Sequence, residues 1–185
     1  MLVRQARMED AAQAAELIQL AIKDIAEALT GETEEEKIKK VLRDYFCQEV
    51  NRLSYRNTLV AEIEGRAAGI IISYHGSDAS ELDAPIIAHL HSSGNTNGAV
   101  EKEAEDEDYY IDTLSVNPEH WGKRVGTCLV AESEKLAKEK GYKTISLNVE
   151  ENNIRARKLY SRLGYTASKV ITINHHSYEY MVKTL

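Results

Sequence analysis

Along the chain the alternation of apolar and polar positions switches between a period near two and a period near 3.6, and each switch predicts an element boundary. Leu2 to Gln5 reads as a short opening strand. From about Asp10 to Leu29, the residues Leu17, Ile18, Ala21, Ile25 and Leu29 recur at helical spacing, and Gly31 supplies the stop. Thr33 followed three residues later by Glu36 predicts a capping box, and Ile38, Val41, Leu42, Tyr45 and Phe46 lay an apolar stripe along the helix behind it. Thr58 to Ile63 and Ala67 to Ser73 are β-rich runs joined by Glu64, Gly65 and Arg66, which predicts a tight antiparallel hairpin.

The pattern then lapses. Gly76 to Asp108 carries Gly, Ser and Asn clusters and ends in an acidic run, Glu101 to Asp108, interrupted by Lys102 and Ala104. So long a segment with few apolar residues predicts a mobile flap outside the core, with a short helix near Pro85 to His91. Order returns at Tyr109 to Val116, a strand, with Asn117-Pro118 as breaker and a helix from about Gly126 to Lys140 that Gly141 stops. A strand at Thr144 to Val149, a helix from Asn153 to Leu163 ending at Gly164, and a hairpin of Tyr165 to Ile173 with Tyr178 to Lys183 complete the chain. The element order implies an α/β (α+β) fold: a mixed, mostly antiparallel sheet of six to seven strands flanked by about four helices. A single domain over 1–185, with a flexible insertion at about 76–108, accounts for the 185 residues.

Composition narrows the classes. Hydrophobic residues make up 43% and charged residues 29%, values of an ordinary globular protein. No apolar run approaches the roughly 18 residues that cross a bilayer, and Met1 to Asp10 is too polar for a signal peptide, so a cytoplasmic location without membrane attachment is expected. Cys47 and Cys128 lie far apart inside helical patterns and read as free thiols. Thirty acidic against 23 basic residues give a net charge of -7, which repels nucleic acid and suits cationic ligands. His75, His89, His91, His175 and His176 lack the spacing of a metal site, so no metal is expected.

Two stretches carry chemistry. In the first, strand residues up to Val116 lead through Glu119-His120-Trp121-Gly122-Lys123-Arg124-Val125-Gly126-Thr127 into a helix. Free amides at a helix start, with the positive end of the helix dipole, can hold a pyrophosphate, and Lys123 and Arg124 add full charges. The glycines lie four apart, which matches neither the P-loop nor the dinucleotide fingerprint. In the second, the strand ending at Val149 leads into Asn153-Ile154-Arg155-Ala156-Arg157-Lys158-Leu159-Tyr160-Ser161-Arg162-Leu163-Gly164-Tyr165.

Together these stretches resemble the GNAT superfamily of acetyl-CoA-dependent N-acetyltransferases. That family carries Val-x-Pro, then Arg/Gln-Gly-x-Gly-x-Gly/Ala, a helix, a strand, Asn-x-x-Ala-x-x-Leu-Tyr and Leu-Gly-Phe. Leu114, Val116 and Pro118 match the first part, Gly122 and Gly126 the loop, and Asn153, Ala156, Leu159, Tyr160, Leu163, Gly164 and Tyr165 the last. Trp121 stands where the family has Arg or Gln, and Arg124 where a middle glycine is usual. The resemblance implies that backbone groups of Leu114 and Val116 hold the pantetheine arm of acetyl-CoA. Amides from Gly122 through Lys123, Arg124, Val125 and Gly126 to Thr127 would hold its pyrophosphate, with Asn153 and Ala156 beside the pantetheine. Tyr160 would reach the sulfur and protonate the departing thiolate.

A primary amine would attack directly, with Asp112, in the predicted strand near the thioester end, as the leading proton acceptor; the position where some relatives carry Glu is Asn148, which leaves a water chain as the alternative. His175 and His176 fall where the last hairpin edges the acceptor pocket, the acidic run would gather a cationic acceptor, and a homodimer is common among relatives. The rival reading is a catalytically silent CoA-binding module of the same fold.

Overall fold

The structure, a computed structural model, describes residues 1–95 and 100–185. Seven strands form one sheet in the order β1-β2-β3-β4-β5-β7-β6, where β1 is Leu2–Gln5, β2 Thr58–Ile63, β3 Arg66–His75, β4 Tyr109–Val116, β5 Thr144–Glu150, β6 Thr166–Ile173 and β7 His176–Thr184. Every neighbouring pair is antiparallel except β4 with β5. Among the described residues six helices cover the faces: α1 Ala11–Ile22, α2 Ile25–Thr30, α3 Glu35–Cys47, α4 Ala79–Ser92, α5 Val125–Glu139 and α6 Ile154–Arg162. Among the described residues no helix is long and apolar enough to cross a membrane.

The strand period decides how the two faces are filled. Along β3, Ile70 and Ile72 point into a core with α1, α3 and α4, while Ile71 joins α5 and α6 on the opposite face. Burial on both faces explains why β3 reads as an almost unbroken apolar run. Gly69 lets α5 come close: a Cβ there would lie 2.8 Å from the Ser115 carbonyl oxygen and 3.1 Å from Val125 Cγ1. That contact fixes the start of α5 against the sheet.

Several sequence expectations change. The first long helix is two, because Lys23 takes a positive φ of 50° between α1 and α2. The capping box at Thr33 does not form; Glu34 is the residue before α3 and gives it no side-chain cap. The last hairpin turns on Asn174-His175, both with positive φ, so β7 begins at His176.

The largest change concerns the segment at 76–108. Residues 79–92 form α4, and Ile86 and Leu90 are fully buried in the core with α3. Pro85 lies inside this helix and does not start it. Further along, Ala104 packs with Tyr74 and Tyr110, and the Tyr180 hydroxyl donates to the buried Asp108 carboxylate at 2.5 Å. The expectation of a flap outside the core therefore fails on both sides of 96–99, the part outside the described residues. Among the described residues of the segment Ala79, Ile86, Leu90 and Ala104 are buried, which is enough to tie it to the core.

Candidate functional site

The site begins with a divergence of two strands. β4 and β5 are parallel, yet only Tyr109–Ile111 pairs with Ile145–Leu147. On its other edge β4 stays paired with β3 to Val116, with a register shift that leaves Asp112 as the extra residue between Ile111 and Thr113. Such a bulge bends the strand and moves the inward phase by one residue. Accordingly Tyr109 and Ile111 face the α5 side before it, and Leu114 and Val116 after it. Beyond the bulge the β5-facing edge of β4 has no strand partner, and the cleft opens into a cavity of about 250 Å³ lined by Asp112, Leu114, Asn148, Asn153, Ala156 and Tyr160, among others.

At the outer end of the cleft sits the turn into α5. Gly122 has φ 76°, and Arg124, the residue before the helix, has φ 64° and ψ 12°. Cys128 is the first amide to bond back into the helix, to the Arg124 carbonyl at 3.0 Å. The amides of Val125, Gly126 and Thr127 precede it, and Arg124 offers them no side-chain cap. Lys123 and Arg124 are exposed and have no carboxylate within ion-pair range among the described residues. The helix start rests on the strand: a Cβ at Gly126 would meet Val116 Cγ2 at 3.6 Å and Leu114 Cδ2 at 3.7 Å.

At the inner end, α6 brings Tyr160 to the cavity. Its side chain is 7% exposed, its hydroxyl makes no hydrogen bond among the described residues, and burial pushes the phenol well above its usual range. It is therefore protonated at neutral pH and free to donate. The Asn153 side-chain oxygen caps α6 by accepting from the Ala156 amide at 3.1 Å, which leaves its NH₂ group for any ligand.

Beneath the cavity lies a buried charge cluster. Arg52, only 3% exposed, sits in the loop between α3 and β2 and meets Asp112 at 2.6 Å, Glu103 at 2.8 Å and Asp83 at 3.7 Å. Asp112 also accepts from the Tyr74 hydroxyl at 2.8 Å and the Thr113 hydroxyl at 2.8 Å. Glu103 accepts from the Tyr110 hydroxyl at 2.8 Å, and Asn148 donates to that same hydroxyl at 2.9 Å. Burial pushes the Glu103 carboxyl above its usual range and that of Asp83 up to about 6, against the pull of Arg52. One guanidinium thus faces three carboxylates.

The structure therefore brings Asp112, Leu114, Asn153, Ala156, Tyr160 and His176 to one cavity, with the loop from Gly122 to Thr127 at the mouth of the cleft. His176 donates or accepts at Asp24 across 2.9 Å, whereas His175 occupies the exposed hairpin tip and does not line the cavity. Sequence reasoning missed Arg52 and Glu103: each is one charged residue without a motif, and its partners are brought in by the fold. Among the described residues no cluster of His, Cys, Asp and Glu could hold a metal ion.

Known proteins agree with this geometry. Residues 20–165 match the model of the "Acetyltransferase (GNAT) family". A crystal structure of an N-acetyltransferase from Staphylococcus aureus Mu50 superposes with a TM-score of 0.87 at 26% identity, covering 99% of this chain and 100% of that one. Another, described as an acetyltransferase, gives 0.83 at 30% identity, covering 100% and 99%. The spore coat polysaccharide biosynthesis protein SpsD of Bacillus subtilis (strain 168) is 25% identical over 107 residues, 58% of this chain. The match spans 31%, about a third, of that curated relative. Fold, family model and motif together assign this chain to the GNAT acetyltransferase family.

Proposed function

We propose that the protein is an acetyl-CoA-dependent N-acetyltransferase that moves the acetyl group to a primary amine by direct attack. The observation that carries this reading is the unpaired cleft between β4 and β5, with free amides at one end and a free phenol at the other. Acetyl-CoA supplies the activated acetyl group as a thioester. The Leu114 and Val116 backbone would hold the pantetheine arm, the amides from Val125 to Thr127 the pyrophosphate, and the Asn153 NH₂ group the pantetheine nearer the thioester.

Tyr160 would donate its proton to the leaving thiolate. The proton lost by the attacking amine would go to the buried cluster as a whole. Asp112 faces the cavity, but its oxygens already accept from Arg52, Tyr74 and Thr113, and Arg52 also reaches Glu103 and Asp83. The excess negative charge in the cluster, together with Asp24 and Glu150 on the cavity wall, favours an acceptor that arrives as a cation.

The test pairs binding with turnover. Acetyl-CoA at about 100 times its dissociation constant should stabilise the fold by roughly 2.7 kcal/mol, seen as a rise in melting temperature. A panel of amines should then release free thiol. A melting point that does not move removes the cofactor reading, and stabilisation without thiol release on any amine leaves the silent binding module.

A further inference from the structure

We propose that Trp121 and Arg155 form the subsite for the nucleotide end of CoA, the indole face taking the purine and the guanidinium a phosphate. This rests on the proposed use of acetyl-CoA. Trp121 is the only tryptophan in the chain and replaces the Arg or Gln usual at its place in the loop motif. It is 51% exposed, so part of its ring is open to a ligand. It is also held in position. The indole N–H donates to the Val116 carbonyl at the end of β4 at 2.8 Å, and the Arg155 guanidinium carbon lies 4.5 Å from the ring centroid. Arg155 belongs to the first turn of α6, so this contact bridges the two motif stretches at the mouth of the cleft.

The direction of the ligand follows from the loop. If the pyrophosphate sits on the Val125 to Thr127 amides and the pantetheine runs inward beside Leu114 and Val116, the nucleotide must run outward. Trp121 directly precedes the loop glycine Gly122, and Arg155 lies against it. Charge points the same way. Lys123, Arg124 and Arg155 have no carboxylate within ion-pair range among the described residues, as is also true of Arg7, Arg43, Arg66 and Arg162, but these three belong to the two stretches that frame the cleft. One cation on an exposed aromatic, with two more in the adjoining loop of a chain of net charge -7, suits a flat base that carries several phosphates.

The single tryptophan makes the subsite directly visible. Titration with CoA should change its emission, and titration with pantetheine, which lacks the nucleotide, should not. Arg155→Gln should weaken CoA binding by roughly tenfold or more, since a charge-assisted phosphate contact is lost. Trp121→Ala should weaken it too, with Trp121→Phe intermediate because it keeps a flat ring. Both side chains are exposed, so unchanged melting points without ligand will show that the variants fold. A loss for CoA but not for 3′-dephospho-CoA puts the guanidinium on the 3′-phosphate, and an equal loss for both puts it on the pyrophosphate; either supports the subsite. Static emission, or wild-type affinity in Arg155→Gln, overturns it. If acetyl-CoA still stabilises the wild-type protein in that case, the subsite alone is wrong; if it does not, the cofactor reading fails as well.

Discussion

At the scale of single residues, the sharpest expectation concerns Tyr160. Its hydroxyl has no hydrogen-bond partner among the described residues and its ring is packed on α5 and β5 neighbours, so Tyr160→Phe should leave the melting temperature nearly unchanged. Turnover is another matter. General acid catalysis contributes about 10²- to 10⁴-fold, and a loss of that size should fall on kcat with little effect on KM. Because burial holds the phenol far above its ordinary value, a basic limb set by Tyr160 is not expected in the working pH range. Steady-state kinetics of the variant decide the matter, and an unchanged kcat means the thiolate leaves unaided. Arg124 shows a different residue-scale compromise. Its left-handed backbone costs on the order of 1 kcal/mol relative to the glycine usual there, and in exchange a cation stands at the helix start.

At the scale of elements, the site depends on how closely α5 sits on β3. Gly69→Ala would bring a Cβ within 2.8 Å of a backbone oxygen and near Val125 and Leu129, so the helix must lift. A destabilisation of about 1–3 kcal/mol is expected, with a smaller thermal shift from acetyl-CoA because the loop amides move with α5. Thermal melts with and without ligand would show whether both effects occur together; if neither does, the contact is slack. The elements that frame the site were legible in the sequence where a single period ran between clear stops, as in β4, α5, β5 and α6. What escaped was set by neighbours. The bulge at Asp112 exists only relative to its pairing with β3. The break at Lys23 interrupts a chain whose apolar spacing continues through it. α4 was read as shorter because its internal proline suggested a helix start, although Ala79, Leu82, Ile86 and Leu90 recur at helical spacing through it. Arg52 and Asp112 stand 60 positions apart, a distance that no local pattern bridges.

At the scale of the molecule, the cluster around Arg52 ties four separate parts of the chain together: the loop after α3, α4, the segment before β4, and β4 itself. Removing one partner of such a group is costly, but here the carboxylates outnumber the cation, and Asp83 is the least well satisfied. One of its oxygens is buried with no hydrogen-bond partner, and its nearest contact to Arg52 is 3.7 Å. Its pKa stands at about 6 in the folded protein against an ordinary value of 3.8. The folded state therefore binds this proton more tightly than the unfolded state, so Asp83 lowers stability as pH rises through roughly 4 to 6, and the full cost applies above 6. A gap of about two units sets an upper bound near 3 kcal/mol. Asp83→Asn imitates the protonated acid. It should raise the melting temperature at pH 7 to 8 and converge on the wild type near pH 4, as melts across that range will show. If the cluster also takes the proton of the attacking amine, losing one negative neighbour should move the acidic limb of kcat to lower pH, because the remaining carboxylates hold a proton less tightly. A variant that is stabilised at pH 7 while its acidic limb stays in place would separate the two roles, making the cluster a structural tie and leaving the amine to lose its proton elsewhere.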